Sequence, residues 1–114
     1  MHLKRFADAP AYEAPNHFGC YGLRLQGFEE NGPKNQWIGF SQFFPGGGAG
    51  PDSTPFEKVY IMIEGEMTLI IDGEESVLKP LDSCVIQPGE VRVLENRTNM
   101  TAKMMVVIPY PPEA

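Results

Sequence analysis

Residues 57–73 read Glu57-Lys58-Val59-Tyr60-Ile61-Met62-Ile63-Glu64-Gly65-Glu66-Met67-Thr68-Leu69-Ile70-Ile71-Asp72-Gly73. Over Glu57–Ile63, alternation sends Lys58, Tyr60 and Met62 to one side of a strand and Val59, Ile61 and Ile63 to the other. Both sets are largely apolar, so both faces need cover. One face suits a barrel interior, and the other a second layer or a partner subunit. Glu64-Gly65 is a tight turn, and Glu66–Ile71 is a second strand. Asp72-Gly73 is the dipeptide that favours a type I′ hairpin turn.

Short strands recur on either side of this stretch. Gly19–Phe28 alternates loosely, and the aromatic-rich Gln36–Phe44 closes at Pro45. Glu75–Lys79 runs to Pro80, and Ser83–Gln87 stops at Pro88-Gly89. Val91–Glu95 and Thr101–Ile108 complete the set, which Pro109, Pro111 and Pro112 end. No long segment keeps apolar residues at the helical period without a Gly or Pro. With 114 residues, 12 Gly and 11 Pro, the pattern fits one all-β domain over 1–114. The barrel core is expected at 36–108, with an N-terminal segment, 1–28, that supplies an extra strand to it or to a partner.

The net charge of −6 and the nine scattered basic residues disfavour nucleic acid or an anionic membrane as partner. No apolar stretch approaches the ~18 residues of a membrane span. The first ten residues contain no apolar run of a secretory signal. Cys20 and Cys84 are far apart, with no CxxC spacing, and read as reduced thiols of a cytoplasmic protein.

Two spacings carry a family resemblance. Gly46, five residues, Asp52-Ser53-Thr54, three residues, Lys58, six residues and Gly65 keep the register of the first cupin motif. Leu81, five residues, Gln87-Pro88-Gly89, two residues, Arg92, three residues and Asn96 keep that of the second. Asp82 follows Leu81 as an Asp follows the family's Gly, and fifteen residues lie between Gly65 and Leu81, as in small microbial cupins. Over roughly Gln36 to Ile108 the chain therefore resembles the cupin superfamily. The resemblance implies a double-stranded β-helix, or jelly-roll, barrel.

The four positions that usually ligate a metal in that family fall on Asp52, Thr54, Lys58 and Arg92. Lys and Arg offer only donors, so no metal and no cofactor is expected here. The two histidines, His2 and His17, lie outside both motifs. His17 reads as a surface or subunit-contact residue in preference to a base, and Gly46-Gly47-Gly48 as a flexible pocket rim.

The resemblance points Lys58 into the barrel. Three roles stand open for it: a structural partner of Asp52 or another acid, a group that binds a carboxylate or polarises a carbonyl, and a reactive amine. Arg92 either grips a carboxylate with its fork or pairs with Asp52 or Glu95. Tyr60 and Met62 share the face of Lys58. Trp37 and Gln42 have opposite parity on one strand, so at most one of them lines the cavity. The expected catalytic set is Lys58, Arg92, Tyr60 and Asp52. The expected substrate-binding set is Arg92, Lys58, Gln42, Thr54 and Met62.

Two cations in one cavity call for an anionic small-molecule ligand. The expected function is metal-independent isomerase, decarboxylase or lyase chemistry on a small oxo-carboxylate. The alternative is a module that binds or senses a small anion without turnover. A homodimer is expected, covering the outer face of Val59, Ile61 and Ile63.

Overall fold

The computed structural model describes residues 1–111; Pro112, the last of the terminating prolines, lies outside the described residues. A single 3₁₀ turn, Phe6–Asp8, precedes the strands. These are β1 (Ala11–Tyr12), β2 (His17–Gln26), β3 (Gln36–Asp52), β4 (Lys58–Glu64), β5 (Met67–Ile71), β6 (Glu74–Leu78), β7 (Ser83–Ile86), β8 (Arg92–Glu95) and β9 (Ala102–Pro109). All pairings are antiparallel, in the order β6-β5-β8-β3-β9-β4-β7, and β2 also lies on β3 and carries β1. This is the expected all-β jelly-roll barrel. Asp72 and Gly73 have φ of 51° and 78°, the left-handed pair of a type I′ turn, and they join β5 to β6 with Ile71 opposite Glu74.

The sheet rolls into a nearly closed barrel because the long β3 serves both of its sides. The first half of β3 lies between β2 and β9, and its second half pairs with β8. The strand was expected to stop at Pro45, with Gly46–Gly48 as a flexible rim. Instead it continues through the glycines to Asp52, and Gly47, Gly48 and Ala49 are buried. The reason is close approach of backbones. A Cβ on Gly47 would lie 2.1 Å from the Gly19 carbonyl oxygen, and one on Gly48 would lie 2.1 Å from that of Leu94. Gly48→Ala forces the β3–β8 pair apart and is expected to cost about 1–3 kcal/mol, the range of overpacked sites. The measurement is a denaturant midpoint, which should fall with little change in slope.

Glu64-Gly65 turns the chain, as expected, without making a hairpin: β4 pairs with β7 and β9, whereas β5 pairs with β6 and β8. The turn moves the chain from the β3-β9-β4-β7 side of the rolled sheet to the β6-β5-β8 side. The N-terminal segment supplies two strands instead of one. Phe43, Met62, Met67, Ile86 and Leu94 fill the buried space between the sheets.

Asn96, the last residue of the second motif, anchors the fold. Its Nδ2 donates to the Phe43 and Met100 carbonyls at 3.0 and 2.8 Å, and its Oδ1 accepts from Thr98. Leu81 adopts a φ of 71°, so the left-handed position where the resemblance implies a Gly is held here by an exposed Leu. Asp82 caps it by accepting from the Lys79 N–H at 2.9 Å.

The outer face of the β3-β9-β4-β7 sheet is apolar in register. Ile38, Val107, Val59 and Val85 form one cross-strand row, and Phe40, Met105 and Ile61 form the next. Phe6 covers one corner, with its ring edge-on to Phe40 at 5.5 Å.

Candidate functional site

Alternation along β4 turns Lys58 and Tyr60 inward, and β8 brings Arg92 to the same space. All three line one cavity of about 340 Å³, and Asp52 and Thr54 join them there. That volume is at the lower end of the ~300–1,000 Å³ of ligand pockets, so it suits a small molecule. Gln42 and Met62 are not part of this site. Trp37 and Ser41 take the inward parity of β3, so Gln42 lines a separate groove with Phe44, Glu64 and Lys103. Met62 is fully buried in the core beyond the cavity.

Lys58 is 6 % exposed, and Arg92 and Tyr60 are each 3 % exposed. The Arg92 Nε donates to the Tyr60 hydroxyl at 2.8 Å, and its Nη1 donates to the Gly50 carbonyl at 2.7 Å. Neither Asp52 nor Glu95 pairs with it. Glu95 is bonded to Arg97, and the Asp52 Oδ1 accepts from the Ser53 N–H at 2.8 Å. Lys58 has no ion-pair partner among the described residues, and its Nζ sits 5.7 Å from the centre of the Tyr60 ring. Burial is the main cause that brings the Lys58 pKa down to about 8, and Arg92 adds to it against a smaller pull from Asp52. Burial pushes Tyr60 upward, so the phenol keeps its proton. Because its oxygen accepts from Arg92, that proton is free to face a ligand.

The N-terminal strands close the cavity. Tyr12 of β1 enters over Gly39, where a Cβ would stand 2.5 Å from the Tyr12 hydroxyl. Glu13, Ala14 and Pro15 continue the wall. His17, read from sequence as a surface residue, also lines the cavity. Its Nδ1 lies 2.7 Å from the Pro15 carbonyl. A carbonyl only accepts, so Nδ1 carries the ring proton and Nε2 keeps its lone pair. Burial, reinforced by Arg92 and Lys58, lowers its pKa and keeps the ring neutral at neutral pH. Arg24 and Trp37 complete the lining.

Nothing in the two motifs marked His17, Arg24, Tyr12 or Glu13, because all four precede them. The one usable signal was Leu23-Arg24-Leu25, a cation between leucines in a strand.

The donor set does not fit a metal. Thr54 donates its Oγ1–H to the Phe56 carbonyl at 2.8 Å, and two of the other three groups are cations. No group of three or more His, Cys, Asp or Glu among the described residues is placed to hold an ion. Protein purified without chelators is expected to carry no stoichiometric zinc, iron, nickel or manganese by elemental analysis. A near-equimolar metal lost on Asp52→Ala would overturn this. Cys20 and Cys84 are unpaired, and burial pushes both thiols upward, away from thiolate chemistry.

A family model described as the cupin domain matches residues 39–108. The chain is 40% identical over 111 residues to Beta-D-galactosidase Rv1717 of Mycobacterium tuberculosis (strain ATCC 25618 / H37Rv), covering 97% of this chain and 96% of that protein. Among solved structures, the polyketide cyclase RemF from Streptomyces resistomycificus superposes with a TM-score of 0.85 at 19% identity, covering 96% of this chain and 79% of that one. KdgF from Halomonas sp. superposes at 0.77 with 11% identity, covering 97% and 96%. At such identities these two structures speak to the fold alone.

Proposed function

This chain belongs to the cupin family, and from that premise we propose that it is an enzyme acting on a small, sugar-sized oxo-carboxylate in the barrel cavity, without a metal. The observation that carries the reading is the pair Lys58 and Arg92. They are two buried cations on one cavity, with no acidic ion-pair partner among the described residues. An unpaired charge in a barrel interior is costly, and an anionic ligand removes that cost. The carbohydrate size class draws on the name of the 40% identical relative.

Arg92 is held by Gly50 and Tyr60 and has N–H groups left to grip a carboxylate. Lys58 polarises the neighbouring carbonyl as an ammonium, or condenses with it as a free amine. The His17 Nε2 accepts a proton beside that carbonyl, and the Tyr60 phenol returns one. Isomerisation, decarboxylation and carbon–carbon cleavage all pass through the enolate or enamine this arrangement stabilises.

A thermal-shift screen of sugar acids and oxo-acids, each beside its neutral analogue, tests the reading. Stabilisation by the acids alone, followed by turnover seen by NMR, is the expected result. Binding without turnover would leave a sensing or sequestering module.

A second reading has its own observation. The carboxylates Asp52 and Glu13 line the same cavity, and two carboxylates are what glycoside hydrolysis usually needs. Release of nitrophenol from nitrophenyl β-D-galactoside, lost in both Asp52→Asn and Glu13→Gln, would replace the first reading with this one.

The proposal includes a cytoplasmic homodimer. The unpaired cysteines suit a reducing compartment, and the apolar rows around Val59 and Ile61 suit a second copy. Light scattering is expected to give twice 12.7 kDa, and Ile61→Asp to give the monomer with the fold intact. A monomeric wild-type chain at micromolar concentration would remove the dimer.

A further inference from the structure

We propose that Arg24 forms a second anion-binding pole in the same cavity, so that the ligand is a small diacid with an acidic group at each end. This rests on the reading of Lys58 and Arg92 as an anion site. Arg24 lies on β2 opposite Gly39 of β3, the position that Tyr12 also covers, and it lines the cavity. Its guanidinium carbon is 4.3 Å from the centre of the Phe28 ring, 5.3 Å from Tyr12 and 5.5 Å from Trp37. Aromatic faces hold a guanidinium by its plane and take none of its N–H groups, which still require acceptors. None is supplied. The Arg24 Nε is buried without a hydrogen-bond partner among the described residues, and neither Glu13 nor Asp52 pairs with it.

The two sets of charge come from different strands. Lys58 and Arg92 open β4 and β8, whereas Arg24 sits on β2 against Tyr12, Phe28 and Trp37. A monoacid bound at Lys58 and Arg92 therefore leaves Arg24 unanswered. A diacid of the right length answers both poles. A merely structural role is the alternative, since the Arg24 backbone N–H ties β2 to the Pro10 carbonyl at 2.8 Å and the side chain packs against Tyr12 beside it.

The experiment titrates wild type, Arg24→Met and Arg24→Lys by NMR or calorimetry. The ligands are succinate, glutarate and adipate, each beside the monoacid of equal carbon number. In the wild type, one diacid should bind about tenfold or more tighter than its monoacid, the worth of one charge-assisted contact. In Arg24→Met that ratio should fall to about one, because diacid and monoacid then share the Lys58–Arg92 pole alone; Arg24→Lys, which keeps the charge, should retain part of it. Monoacids that bind while diacids gain nothing in the wild type would overturn the second pole and leave the first intact. A diacid preference unchanged in both variants would also overturn it, because another group would then read the second acid. If neither class binds, the anion reading of Lys58 and Arg92 fails and takes this inference with it. Ligand-free melting of the variants separates the packing role, which shifts melting without touching the ratio.

Discussion

Arg92→Met is expected to weaken carboxylate binding by about tenfold to a hundredfold, and to make Lys58 more basic at the same time. The first effect follows from removing a charge-assisted contact worth about 1.5–3 kcal/mol. The second follows from the charges around Lys58. Burial is the larger cause of its lowered pKa and Arg92 the next, so losing Arg92 raises the pKa from about 8 without restoring the ordinary 10.5. Stability should change less than affinity, because two effects oppose. The bonds to the Tyr60 hydroxyl and the Gly50 carbonyl are lost, but so is a buried charge without a carboxylate partner. Arg92→Lys keeps the charge and loses the fork, so it should recover the low Lys58 pKa but little of the affinity. A carboxylate affinity unchanged in Arg92→Met would remove Arg92 from the site.

The barrel was legible because its signals are local. Asp72-Gly73 dictates its turn through φ, and alternation over Glu57–Ile63 needs no knowledge of neighbours. The run Gly46–Gly48 was not legible as strand. Glycine has low strand propensity, and the reason for three in a row is contact with Gly19 and Leu94, remote in sequence. The same limit applied to the site. Lys58, Arg92, Asp52, Thr54 and Tyr60 met in one cavity because motif spacing carries their positions. His17 and Arg24 entered only through the β2–β3 register, which no short pattern encodes. Gln42 went the other way. Its strand lines the cavity, but parity on that strand belongs to Trp37 and Ser41.

Lys58→Met offers the sharpest separation between a structural lysine and a working one. If Lys58 pinned two strands through Asp52, its loss would destabilise the barrel. The geometry leads to the opposite expectation, because no ion pair among the described residues is broken and a buried cation is replaced by an apolar side chain of similar length. The folded pKa of about 8 lies below the unfolded 10.5, so the folded state releases its proton first. Below pH 8 both states are protonated, and the cost of burying the charge is present in full. Between pH 8 and 10.5 the unfolded state holds more protons, so wild-type stability rises with pH through that window. Lys58→Met should melt higher than the wild type at neutral pH and lack the rise. Turnover of any substrate found by the screen should fall by about 10²–10⁴, the share of a positioned acid–base group. Binding should show the same residue from the other side. Carboxylate affinity of the wild type should weaken as pH passes through the Lys58 pKa, which a bound anion moves upward from 8. His17 and Tyr60 face the same space; burial lowers His17 below its usual 6.5 and raises Tyr60 above its usual 10.0, which leaves the limb above pH 8 to Lys58. Borohydride added with the true oxo-acid tests whether the amine also condenses, through a mass increment on the peptide carrying Lys58. A variant that melts lower than the wild type, with turnover retained, would return Lys58 to a structural role and leave the cavity without its central group.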